Sequence, residues 1–163
     1  YTGGPRPYGY LGLGELFVFV FFGLVATCGT VYVEELHVTT LAVLAGCSIG
    51  FLASAILVLN NLRDVDSDAA AGKRTLATRI GRERTRYLLL AIAVATFVMP
   101  VIAVLAHAAS PTILVTLLAA PMLAVPVRTA FESVSGPELV GALKRTAAAE
   151  VAFSMLLAVG VLA

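Results

Sequence analysis

The 163 residues are 60% hydrophobic and 13% charged, with a mean hydropathy of +0.96 and a formal net charge of +1. That balance excludes an ordinary water-soluble domain, and the small net charge gives no sign of a nucleic-acid partner. No fixed-period repeat and no low-complexity linker interrupts the chain.

The opening residues, Tyr1-Thr2-Gly3-Gly4-Pro5-Arg6-Pro7-Tyr8-Gly9-Tyr10, read as a cytoplasmic loop leading into a helix, with Tyr8 and Tyr10 at headgroup level. The chain begins without Met and without a basic segment ahead of a cleavable apolar stretch. It therefore reads as the carboxyl-terminal part of a longer membrane protein. Five apolar runs follow, at about 16–33, 38–59, 87–106, 111–127 and 143–163. A helix crossing the hydrocarbon needs roughly 17–25 residues, so each run is long enough, the fourth only just. The expected class is thus all-α, a polytopic transmembrane bundle of five spans. Pro100, Pro121 and Pro126 fall in or at the end of spans and predict kinks. Cys28 and Cys47 lie within spans, read as small packing residues, and have no metal-type spacing.

Running the chain back and forth puts 1–15, 60–86 and 128–146 on one side of the bilayer and the loops 34–37 and 107–110 on the other. All eleven Lys and Arg residues then share the first side, from Arg6 through Arg63, Lys73, Arg74, Arg79, Arg82, Arg84 and Arg86 to Arg128, Lys144 and Arg145. The opposite loops hold only Glu34, Glu35, His37 and His107 among ionisable residues. The positive-inside rule makes the basic side cytoplasmic. A wrong span count would scatter these charges over both faces.

The chemistry concentrates between the second and third spans, in Asn60-Asn61-Leu62-Arg63-Asp64-Val65-Asp66-Ser67-Asp68 and then Gly72-Lys73-Arg74-Thr75-Leu76-Ala77. On a helix, Asn60, Asp64 and Asp68 share one face and Asn61 lies beside it. That is a ladder of oxygen donors suited to a hard cation such as Mg²⁺. Lys73 and Arg74 are placed to hold phosphate oxygens, the first as a point charge and the second as a fork. Asp66 points about 200° from Asp64 on an ideal helix, and supports the ligand set or pairs with Arg63. The bland alternative for the whole run is a solvated hairpin with internal salt bridges. Arg79, Arg82, Arg84 and Arg86 read as contacts to anionic lipid that fix topology. Glu15 is a candidate for the acceptor side of a cavity or an interfacial residue facing water. Glu150 reads as an interface residue.

The Asn60–Ala77 stretch resembles the second aspartate-rich motif of the UbiA superfamily of membrane prenyltransferases. Three segments carry the likeness: Asn60-Asn61-x-Arg63-Asp64-x-x-x-Asp68, the tail Ala71-Gly72-Lys73-Arg74-Thr75-Leu76-Ala77, and the leading loop Gly9-Tyr10-Leu11-Gly12-Leu13-Gly14-Glu15 running into Phe17–Gly23. The same segments favour the branch that acts on 1,4-dihydroxy-2-naphthoate in menaquinone biosynthesis.

The resemblance implies a nine-helix fold of which these five spans are the fifth to ninth, with the first aspartate motif absent from this chain. It implies Mg²⁺ held at Asp64 and Asp68, with Asp66 the third carboxylate of the set and Asn60 and Asn61 in support. It also implies diphosphate oxygens on Lys73 and Arg74, and an acceptor near Glu15. The implied partners are polyprenyl diphosphate, the naphthoate, the lipid bilayer (a bacterial plasma membrane) and the remaining helices of the same protein. The implied reaction transfers the prenyl group with loss of CO₂, and the chain alone is expected to be inactive. Another aromatic acceptor, such as 4-hydroxybenzoate, a chlorophyllide or haem, is the nearer alternative. A cation transporter is the more distant one, since it predicts acidic residues near the middle of spans.

Overall fold

A computed structural model describes residues 12–134 and 136–163. Tyr8, Tyr10 and the first three residues of the leading loop, 9–11, lie outside the described residues. Within them there is no strand, and five helices are long and apolar enough to cross a membrane. These are α1 (Gly14–Glu35), α2 (Thr40–Arg63), α4 (Leu76–Leu105), α5 (Pro111–Glu132) and α6 (Gly136–Leu162). A short α3 (Val65–Ala70) lies between α2 and α4. The five expected spans are therefore present with shifted ends, α4 beginning 11 residues and α6 seven residues ahead of the expected apolar runs.

Local sequence sets the boundaries. The Thr39 and Thr75 hydroxyls accept from the backbone N–H groups of Ala42 and Thr78, capping α2 and α4. The expected long loop over 60–86 is largely helical instead: α2 runs on to Arg63, α3 follows, and α4 begins at Leu76. The break in α4 falls at Gly81 (φ 82°, ψ 166°), while the dihedrals through Pro100 stay helical. Pro121 acts differently. It has no N–H for the carbonyl four residues back, and α5 changes there from a 3₁₀ stretch (Pro111–Ala119) to an α-helix (Ala120–Glu132). The 3₁₀ rise of about 2 Å per residue lengthens this span, so α5 reaches about 37 Å despite its short apolar run.

Helix α2 is the central post, packed on α1, α4 and α6, while α6 also packs along α5. Two apolar clusters fill the bundle. Val58, Leu59, Leu62, Leu89, Ala130 and Leu139 form the one nearer the motif. Leu52, Ile113, Leu123, Phe153 and Leu157 form the other. Lipid tails are as apolar as these side chains, so close packing rather than water exclusion holds such helices together. The α1–α2 seam shows how close: a Cβ on Gly23 would lie 2.5 Å from both the Gly46 carbonyl oxygen and the Gly50 Cα. Along this seam α1 carries a π-helical segment, Phe19–Val25.

Candidate active site

The motif begins in the last turn of α2. Asp64 closes that helix with non-helical dihedrals (φ −95°, ψ 7°), yet its N–H still reaches Asn60 O (3.1 Å), and the Asp68 N–H reaches Asp64 O (2.8 Å). The four-residue stacking of Asn60, Asp64 and Asp68 therefore survives a small break in the helix. Neighbouring residues on a regular helix do not face each other. At the break they do: the Arg63 guanidinium donates from Nε and Nη2 to the two Asp64 oxygens at 2.7 and 2.6 Å. This pairing holds the Asp64 carboxyl below the usual carboxylate range, against the opposing effect of burial.

Asp68 is held from the other direction. Gly72 sits in the left-handed region (φ 71°), where glycine carries no steric penalty. Its N–H bonds to Ala69 O (3.1 Å) and the next N–H, that of Lys73, bonds to Asp68 O (2.9 Å). This paired closure is a Schellman motif. It turns the chain back so that Lys73 Nζ donates to both Asp68 oxygens, at 3.2 and 3.1 Å. The glycine thus builds the clamp.

Lys73 and Arg74 line one concavity of about 620 Å³ together with Gly72, Thr78 and Arg79. Arg79, assigned from sequence to lipid contact, belongs to this basic bowl. Its side chain also packs over Gly12, since a Cβ there would meet Arg79 Cδ at 3.1 Å. The sequence signal for this is spacing: Arg79 lies six residues past Lys73, within reach of one concavity if the intervening chain turns.

The remaining motif residues diverge. Asp66 does not pair with Arg63; its carboxylate, 85% exposed, accepts from Arg82 Nη2 at 2.8 Å. The reason is that Arg63 is already occupied by Asp64. Arg82 in turn donates Nη1 to Leu62 O (2.9 Å), satisfying a carbonyl in the last turn of α2. It is an internal tie rather than a lipid contact. Among the described residues no three His, Cys, Asp or Glu side chains gather into a metal-holding group, so Asp66 stands apart from Asp64 and Asp68.

The two asparagines also part. Asn61, 2% exposed, donates Nδ2 to Glu15 Oε1 at 2.8 Å. Glu15 is itself 8% exposed, with Oε2 unpartnered, and its backbone carbonyl accepts from Ser54 Oγ at 3.1 Å. The reading of Glu15 as an interfacial side chain facing water is therefore incorrect: an amide on α2 draws it into the α1–α2 seam. Asn60 instead lines a groove of about 440 Å³ with Val18, Phe22, Ile56, Leu143 and Glu150.

These pieces make a carboxylate pair, a basic bowl beside it, and an apolar groove on the same helix. The chain matches the UbiA prenyltransferase family over residues 1–137. It belongs to that family. This UbiA chain is 45% identical over 165 residues to a 1,4-dihydroxy-2-naphthoate octaprenyltransferase of Mycobacterium tuberculosis, covering 97% of the chain and 53% of the relative. It is 41% identical over 158 residues to the enzyme so named in Mycobacterium leprae, with the same two coverages of 97% and 53%. Against the one of Bacillus subtilis it is 31% identical over 162 residues, 99% of the chain and 52% of the relative. The chain thus spans about half the length of the curated relatives it matches. No solved structure matches it.

Proposed function

We propose that the protein containing this UbiA chain transfers a polyprenyl group from polyprenyl diphosphate to 1,4-dihydroxy-2-naphthoate, with loss of CO₂. The observation that carries the reading is the Asp68–Lys73 clamp opening onto the basic bowl. Carboxylates beside a cluster of cationic side chains suit a diphosphate and its counter-ion. They suit a transported cation poorly, because Lys73, Arg74 and Arg79 would repel it. The names of the relatives supply the acceptor. The chain would form the carboxyl-terminal half of a single UbiA-type domain in a bacterial plasma membrane, basic loops cytoplasmic.

Mg²⁺ fits the donor set in one specific way. It keeps several waters and binds through one or two carboxylates plus phosphate oxygens. Asp64 and Asp68, stacked one helical turn apart, would provide two carboxylates by exchanging Arg63 and Lys73 for the ion, while Asp66 is turned away from them toward Arg82. When bound there, the ion would neutralise diphosphate charge and improve it as a leaving group. The chain's own residues do the rest. Lys73, Arg74 and Arg79 take non-bridging oxygens and stabilise the charge that builds as the allylic C–O bond breaks and diphosphate leaves with the electron pair. The apolar helices hold the prenyl tail and keep water from the cationic carbon. The ring carbon bearing the carboxylate attacks, and CO₂ departs leaving its electron pair in the ring, which regains aromaticity.

The test uses membranes carrying the full-length protein and a labelled polyprenyl diphosphate, with Mg²⁺ or EDTA, for wild type and Asp64→Ala. Metal-dependent prenylated product and CO₂ from the naphthoate, lost in the variant, is the expected result. Product from 4-hydroxybenzoate alone would change the acceptor. No transfer to any aromatic compound from folded protein would overturn the reading.

A further inference from the structure

Glu150 is a carboxylate that the motif does not use. It lies 14 residues into the 27-residue α6 and about 7.5 Å deeper than the exposed Arg145, counted at 1.5 Å per residue. No hydrogen bond or ion pair holds it among the described residues, and it is half-buried. An ionisable group at such a depth is costly, and faces a cavity or a polar partner when it is retained. Glu150 faces the groove that runs along α2 to Asn60, between Val18 and Phe22 of α1 and Leu143 of α6. At about 440 Å³ this groove falls within the range of small-molecule sites, and its lining is apolar apart from Asn60 and Glu150.

We propose that Glu150 is a specificity-determining residue for the aromatic acceptor: its carboxylate accepts a hydrogen bond from a ring hydroxyl of a hydroxyarene seated in this groove. The inference rests on the prenyl-transfer reading and deepens it. A flat apolar ring suits walls built of Val18, Phe22, Ile56 and Leu57. A hydroxyl is the group a lone carboxylate in an apolar wall recognises, because it donates without bringing a competing charge. The same bond pushes electron density into the ring, which favours attack on an electrophilic carbon. Asn60 carries the groove to the motif, so an acceptor held on Glu150 lies on the helix that bears Asp64. The diphosphate residues Lys73, Arg74 and Arg79 line a different concavity, so donor and acceptor recognition separate.

The experiment compares wild type, Glu150→Leu and the equal-sized Glu150→Gln in the full-length protein. The acceptors are 1,4-dihydroxy-2-naphthoate and its two mono-methyl ethers. Wild type is expected to prefer a free hydroxyl over a methoxyl at one ring position, and Glu150→Leu to lose roughly tenfold or more of that preference, the range of a charged hydrogen bond. Glu150→Gln should raise the acceptor KM in the same direction, and the KM for polyprenyl diphosphate should stay within about twofold in both variants. A purely structural role would lower turnover of all three acceptors alike. Unchanged hydroxyl preference and acceptor KM in folded Glu150→Gln, with wild type active on the naphthoate, would overturn the assignment and leave the function standing. A wild type that prenylates only another hydroxyarene, with its hydroxyl preference lost in Glu150→Leu, would do the reverse. No transfer to any hydroxyarene would remove both.

Discussion

Gly72 decides where Lys73 points. A side chain at φ 71° is strained, so Gly72→Val is expected to cost about 1–2 kcal/mol locally and to loosen the Schellman closure. Its readout is a higher KM for the diphosphate with the acceptor KM unchanged. Lys73→Ala removes a charged donor outright and is expected to weaken diphosphate binding roughly 10- to 100-fold. Isothermal titration with the bare donor would measure it, and an unaltered affinity would remove Lys73 from the site. Asp64 makes a different prediction. Its folded-state pKa lies below the ordinary value of 3.8, so the Arg63 pair stabilises the protein at neutral pH and is lost as pH falls through that lower value. In EDTA, the melting-temperature difference between wild type and Asp64→Asn should therefore be flat from about pH 7.5 to 5 and shrink below about 4. A difference that shrinks between pH 7 and 5 would exclude this pairing. At this scale the sequence carried the residue types and their four-residue spacing. It did not carry the partners. Arg63 takes the adjacent Asp64 only because the helix breaks there, and Arg82 reaches Asp66 only because Gly81 redirects the chain.

Among the elements, the α1–α2 seam is the contact most sensitive to size. Gly23→Val must push two backbones apart and is expected to destabilise by about 1–3 kcal/mol, visible as a lower melting temperature in detergent. Gly29 lies on the same helix with no heavy atom within 4 Å of an added Cβ, so Gly29→Ala is the neutral control. Equal effects of the two would mean that α1 does not pack on α2 in this way. The existence of the five spans was legible because each exceeds the hydrocarbon thickness in apolar length. Their ends were not. Capping by Thr75 and the 3₁₀ stretch before Pro121 depend on which hydroxyls and carbonyls meet, and hydropathy is blind to both.

At the scale of the whole molecule, the first span is notable for how little of it the rest covers: 6% of its most apolar window is buried. With relatives about twice as long, the 163-residue chain is expected to give no turnover by itself in the prenyl-transfer assay, and robust product from it would refute the reading of this chain as half of one domain. Recognition of the family needed only the motif and the leading loop. The groove that brings Glu150 beside Asn60 needed the fold, because 90 residues separate them. The π-helical segment of α1 has a consequence of its own. A π turn holds more residues than an α turn, so this segment takes in an extra residue and still keeps Glu15 and Gly23 on the one face that meets α2, the first at Asn61 and the second at Gly46 and Gly50. Removing a single residue between Phe19 and Phe22 would let the segment relax to 3.6 residues per turn with Glu15 still directed at its amide, whereas removing one from the α-helical stretch Leu16–Val18 would swing Glu15 about 100° away. The segment works as a slack turn. A one-residue deletion inside it is absorbed, and the same deletion just before it reorients the end of a transmembrane face.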